Sequence, residues 1–156
     1  MDLNSSKVIR IKAMDYLGRR DHSKGELFKK MRNEVDSFEL LQEELDKLEM
    51  EGYINEKRFA EEYIRSRVIR GYGPIRIKSE LRTKGLKDGT ISISLMKYDG
   101  EWVSAAVKAV LKKFSSEAKA YKDQKILLKK KRFLAYRGFN FDHINNALEN
   151  IRLENK

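Results

Sequence analysis

This sequence predicts an all-α fold: three tandem three-helix repeats in an elongated, curved arrangement. Apolar residues recur at three- and four-residue spacing, capping residues bracket the segments that carry them, and the chain resembles itself when shifted by about fifty positions. A shift of fifty lays Ser23 on Gly73, Leu27 on Ile77, Met31 on Leu81, Leu41 on Ile91 and Leu45 on Leu95. A shift of fifty-three lays Leu81 on Leu134, Gly85 on Gly138, Leu86 on Phe139, Ile91 on Ile144 and Leu95 on Leu148. The repeats implied are residues 1–52, 53–100 and 101–156, parted near Gly52 and Gly100.

In the first repeat, Val8, Ile11, Lys12, Tyr16 and Leu17 mark one helical face, ending near Gly18 and the loop 19–22. Ser23, with Glu26 three residues on, has the capping-box pattern, in which hydroxyl and carboxylate each bond a free amide of the first turn. Leu27, Phe28, Met31 and Val35 supply the buried side of that helix. Ser37 caps a third, with Phe38, Leu41, Leu45 and Leu48 inward and Gly52 as its stop. Asn55 opens the second repeat, whose first helix turns Phe59, Ala60, Tyr63, Ile64 and Val68 inward.

A sharp reversal follows at Gly71-Tyr72-Gly73-Pro74, where the only proline of the chain fits the first turn of a helix because its missing amide hydrogen would have been unpaired there. That helix runs from about Pro74 to Lys84 on the stripe Ile77 and Leu81, with Gly85 as its cap. Residues 89–98 alternate Ile91, Ile93 and Leu95 as an edge strand would, but their counterpart 144–148 is better helix material, so helix is expected. The third repeat opens with Trp102, Ala105, Ala106, Ala109, Val110 and Phe114 on one face. Its second helix is expected from about Ala118 to Arg137, around Leu127, Leu128, Phe133, Leu134 and Tyr136. Lys130 stands where the second repeat has Ile77, which leaves the register of this helix open.

Composition narrows the functional classes. The 156 residues include no cysteine, so there is no disulfide framework, thiolate metal site or cysteine nucleophile, in keeping with a reducing cytoplasm. The first residues lack the apolar core of a signal peptide, and no run approaches the roughly eighteen apolar residues of a membrane span, so a soluble cytoplasmic protein without membrane attachment is expected. His22 and His143 have no second ligand at metal spacing and are expected at the surface or in turns. Glu43, Glu44 and Asp46 read as a solvated helix face. Nothing is arranged for nucleophilic or acid–base catalysis or for a cofactor, so a binding protein is expected rather than an enzyme.

Charge says what it would bind. The net charge is +10, but residues 26–62 hold twelve acids against six bases, while residues 65–87 hold eight bases against one acid and residues 108–137 eleven bases against two acids. The basic blocks point to phosphates or carboxylates on a partner. The candidate contacts are Arg65, Arg67, Arg70, Tyr72, Arg76, Lys78, Arg82 and Lys84 in the first basic block, and Lys129, Lys131, Arg132, Tyr136 and Arg137 in the second. Arginine fits either acceptor through its planar fork of donors, and beside aromatics it makes a rigid anchor.

These residues also carry a resemblance. The order Ser23-x-x-Glu26-Leu27, Arg58-Phe59-Ala60, Gly71-Tyr72-Gly73-Pro74-x-Arg76-Ile77-x-x-Glu80-Leu81-x-x-Lys84-Gly85 and Arg132-Phe133-Leu134-x-Tyr136-Arg137-Gly138-Phe139 resembles the RecX family of bacterial recombination regulators over nearly the whole chain. The resemblance implies a non-enzymatic, monomeric modulator that lies in the groove of the RecA filament on single-stranded DNA, depresses ATP hydrolysis and strand exchange, and belongs to DNA repair and the SOS response. Direct binding of single- or double-stranded DNA without RecA is the alternative. A helical scaffold for an unrelated acidic partner is a third reading.

Overall fold

Side-chain oxygens open many of the helices, at Ser23, Ser37 and Asn55 as the sequence predicts. The computed structural model describes residues 5–115 and 122–154, and among them nine α-helices follow one another. They are α1 (Ser6–Arg19), α2 (Lys24–Met31), α3 (Phe38–Met50), α4 (Glu56–Ile69), α5 (Pro74–Thr83), α6 (Asp88–Met96), α7 (Trp102–Lys113), α8 (Gln124–Tyr136) and α9 (Phe141–Glu154), with a 3-10 turn at Arg32–Glu34. Ser5, Ser23, Ser37, Asn55 and Asn140 each accept a first-turn amide through the side chain, and Ser23 with Glu26 completes the capping box. Residues 88–96 are helical: Ile91 and Ser94 are buried while Ile93 is exposed, the three-residue spacing of a helix rather than the alternation of a strand.

The chain divides into two compact units, Met1–Glu62 with Leu81–Ser92 and Tyr63–Glu80 with Ile93–Lys156, so α4, α5 and α6 each contribute to both. In the first unit, α1 and α2 pack on α3 around Ile9, Ala13, Leu27, Met31, Leu41, Leu45 and Leu48. The second packs α7 against α8 and α9, with Trp102, Ala106, Val110, Leu134, Ala147 and Ile151 buried. Each large aliphatic side chain removed from water this way contributes about 1.5–3 kcal/mol.

Three sequence expectations shift. The buried stripe of α1 is Ile9 and Ala13, with Tyr16 and Leu17 partly covered, and Ile11 is exposed because two residues along a helix turn a side chain about 200° away. Phe38, expected inward, is largely exposed and lays its ring edge-on to Phe28. The second helix of the last set begins at Gln124, not near Ala118, because Asp123 caps it by accepting the amides of Lys125 and Ile126; residues 118–121 of the expected helix lie outside the described residues. Its register follows the alignment: Lys130 and Leu134 are both buried, where α5 buries Ile77 and Leu81.

One type of joint recurs, once inside each unit. The start of α2 meets the end of α5, where Ser23 Oγ donates to the Lys84 carbonyl at 2.7 Å and a Cβ on Gly25 would fall 2.4 Å from that oxygen. The start of α5 meets the end of α8 in the same way. Gly73 N donates to the Arg137 carbonyl at 2.8 Å, Ile75 N donates to the Gly138 carbonyl at 2.9 Å, and a Cβ on Gly73 would lie 2.5 Å from the Gly138 carbonyl carbon and oxygen. Two helix ends are shaped for this by glycines at positive φ: Gly85 (+86°) and Gly138 (+97°) let the next amide reach back, Leu86 to Leu81 and Phe139 to Leu134. Gly73→Ala is therefore expected to lower stability by about 2–3 kcal/mol, as overpacking against backbone does. Gly89→Ala, in a helix with nothing near its Cβ position, is expected to raise stability by about 0.5–1 kcal/mol. Urea denaturation of both variants checks the pair.

Candidate partner-binding surface

The turn between α4 and α5 and the end of α8, far apart in sequence, form one cluster in the second unit. Arg137 Nη1 donates to the Arg70 carbonyl at 2.9 Å. Tyr72 lies beneath three guanidinium groups: Arg67 is 3.8 Å from the ring centroid, and Arg76 and Arg137 are each 4.6 Å from it. Arg76 also approaches the Tyr136 ring at 5.2 Å. Three like charges hold this position because the ring face attracts cations and because Glu80 answers two of them. Arg67 donates through Nε (2.9 Å) and Nη2 (2.7 Å) to the two Glu80 oxygens, and Arg76 Nε lies 3.8 Å from Oε2. Burial, then the Glu80 charge, push the Tyr63 hydroxyl up to about 12, so it stays protonated beside that carboxylate.

The candidate cations thus divide. Arg67, Arg76 and Arg137 are half-buried and spent on Tyr72, Glu80 and backbone, while Arg65, Arg70, Lys129, Lys131 and Arg132 are exposed, as is Tyr136. Lys78 is half-buried in the same unit. Arg82 and Lys84 fall in the other unit and are paired there: Arg82 Nε with Asp88 at 2.9 Å, Lys84 Nζ with Glu26 at 3.3 Å. Glu26 also pairs with Arg20 at 3.0 Å. Burial alone would raise its pKa, but the Arg20 hydrogen bond, the Lys84 charge and the Ser23 amide together hold it at about 2.

The acids and histidines expected at the surface are partly inside. Glu44 is buried and accepts from Arg10 at 3.2 Å, and Asp46 pairs with Lys24 at 3.0 Å, whereas Glu43 is exposed. His22 is buried in the α1–α2 turn, bonded to the Arg20 carbonyl through Nδ1 (3.0 Å) and to Lys30 Nζ through Nε2 (2.9 Å), and burial pushes its pKa down. It is a turn residue, as expected, but a covered one. His143 is half-buried in the first turn of α9, with Nδ1 accepting the Asn140 amide. Among the described residues no group of acids and histidines could hold a metal ion, and no helix is long and apolar enough to cross a membrane. The residue passed over in the sequence was Glu80. Its signal was there to see, as the one acid among eight bases between residues 65 and 87.

The cluster makes two expectations testable by denaturation. Arg67→Ala removes a two-pronged, largely covered ion pair and should cost about 2–3 kcal/mol, whereas Arg132→Ala should change stability by no more than about 0.5 kcal/mol. Stability owed to ionised Glu26 is fully present above its unfolded value near 4.5 and is lost as pH falls toward about 2. Urea melts of the protein and of Glu26→Gln across that window should converge at the acid end.

Comparison with known proteins places this arrangement. The family model for the second three-helix domain of RecX matches residues 55–95, and that for the third three-helix domain of RecX matches residues 99–148. "Regulatory protein RecX" of Pseudomonas entomophila is 37% identical over 94% of this chain and 93% of its own, and that of Pseudomonas putida strain GB-1 is 38% identical over 97% and 96%. A crystal structure of RecX from Lactobacillus salivarius superposes with a TM-score of 0.83 at 25% identity, covering 95% of this chain and 97% of that one.

Proposed function

The chain belongs to the RecX family, and from that premise we propose that it is a non-enzymatic negative regulator of homologous recombination, acting as a cytoplasmic monomer on the RecA filament assembled on single-stranded DNA. Binding there depresses ATP hydrolysis and strand exchange. The single observation that carries this reading is similarity to regulatory RecX proteins along nearly the entire chain, with the second and third three-helix domains both matched. The three repeats 1–52, 53–100 and 101–156 are its working modules.

The division among the cations supports a division of roles at the filament. Lys129, Lys131 and Arg132, exposed on α8, and Arg65 and Arg70 near the end of α4 supply the electrostatic contacts, with Tyr136 as an exposed aromatic anchor. Arg67, Tyr72, Arg76 and Arg137 act by holding the α4–α5 turn on the end of α8. Contacts of modest strength joined in one chain raise avidity through effective concentration.

The test is inhibition of the single-stranded-DNA-dependent ATPase of RecA. Wild-type protein should inhibit, and Lys129→Glu/Arg132→Glu should require at least tenfold more protein for the same inhibition while its helical circular-dichroism signal is unchanged. Undiminished inhibition by the variant, or none by the wild type, overturns the reading. Binding to bare single- and double-stranded DNA across a salt series separates the alternative: inhibition that tracks coating of the strand at every salt concentration would mark a DNA-binding protein acting independently of RecA.

A further inference from the structure

We propose that a groove in the second unit, between the C-terminal half of α4 and α7, is a docking site for a peptide segment of a partner protein in which acidic and apolar residues alternate. This goes beyond the regulatory reading and stands without it. The groove holds about 510 Å³. Arg65 and Arg70 line it from α4 and the turn that follows, and Lys108 and Lys112 line it from α7. The two lysines are one helical turn apart and project on the same side. The side chains of Arg70, Lys108 and Lys112 are exposed and have no carboxylate partner among the described residues, unlike Arg67, Arg82 and Lys84, which are paired within the fold. Between these cations the lining is mostly apolar, with Val68, Ile69, Ala105 and Ala109 beside the hydroxyl of Ser104, and Ile69 is 78% exposed.

That combination selects the occupant. A polyanion alone would satisfy the rim and leave the apolar lining uncovered. Single-stranded nucleic acid gains from aromatic planes on which bases stack, and this lining has one aromatic ring among the described residues, Tyr98, while the rest of its apolar surface is aliphatic. A peptide with carboxylates on one side and aliphatic side chains on the other satisfies both, with the small residues Ala105, Ala109 and Gly71 leaving depth for an inserted side chain. Glu101 lies just before α7, so carboxylates of the occupant favour the Lys108 and Lys112 end.

Fluorescence anisotropy with the full chain tests this, using three labelled probes: a twelve-residue peptide alternating leucine and glutamate, a twelve-residue polyglutamate and a dT12 oligonucleotide. The alternating peptide should bind at least tenfold tighter than polyglutamate. Lys108→Glu/Lys112→Glu should weaken its binding at least tenfold and Ile69→Ser at least threefold. All three positions line the groove at the surface, so circular dichroism should be unchanged. The charge-matched control Lys29→Glu/Lys57→Glu, exposed in the other unit, should bind the peptide as wild type does. Equal affinity for polyglutamate, equal loss in the control, or no peptide binding at millimolar concentration overturns the proposal. So does dT12 binding that is lost in the Lys108→Glu/Lys112→Glu variant when the alternating peptide does not bind.

Discussion

The approach of one backbone to another at Gly25 and Gly73 is the constraint on which the rest of the structure depends. At Gly25 a Cβ would lie 2.4 Å from a carbonyl oxygen and at Gly73 2.5 Å, closer than non-bonded atoms approach, so only glycine lets the start of one second helix rest directly on the end of the next. The contact is also chemically complementary. Amides at the start of a helix and carbonyls at its end are the groups without intrahelical partners, and here Gly73 and Ile75 donate to Arg137 and Gly138. The opposite partial charges of the two helix ends favour the same meeting. Pro74 fits between the two donors because it has no amide to leave unpaired.

The joint explains how the basic residues are distributed. Once the α4–α5 turn lies against the end of α8, Arg67, Arg76 and Arg137 must share one small region, and like charges so close require an answer. Tyr72 supplies a ring face and Glu80 a carboxylate, so Arg67 and Arg76 of the first basic block and Arg137 of the second become structural. Lys84 and Arg82 are drawn into pairs in the other unit for a related reason: Lys84 follows α5 next to Gly85 and meets Glu26 beside the Ser23 joint. The exposed basic residues of the second unit lie chiefly on α8, near the end of α4 and on α7.

Much of the fold was legible because caps and periodicity are local. The hydroxyl of Ser23 and the carboxylate of Glu26 form the box their spacing implies, and the glycine stops at Gly52, Gly85 and Gly138 take the left-handed conformation. Self-comparison resolved what local propensity could not at Ile91, setting it on a helix, while the register left open at Lys130 was settled by the structure, which buries it where α5 buries Ile77. The misjudged residues were those whose burial depends on a neighbouring element. Ile11 and Phe38 are apolar but face outward, and Glu44 is polar but covered, because Arg10 provides a partner the sequence spacing does not reveal. The start of α8 is set by Asp123, whose capping role is concealed by the lysine-rich stretch around it.

By itself, the sequence determined most of the helices and several of their caps, their threefold recurrence and the family to which the chain belongs. All of these follow from residue types at short, fixed spacings or from order along the chain. Only the tertiary structure decided which arginines are engaged within the fold. That depends on residues thirteen to about seventy positions apart, Arg67 with Glu80 and Arg70 with Arg137, being brought within hydrogen-bond distance. No local pattern encodes such meetings: Arg67 reaches Glu80 only once the chain reverses between α4 and α5, and Arg137 reaches Arg70 only once Gly73 and Gly138 have let two backbones touch.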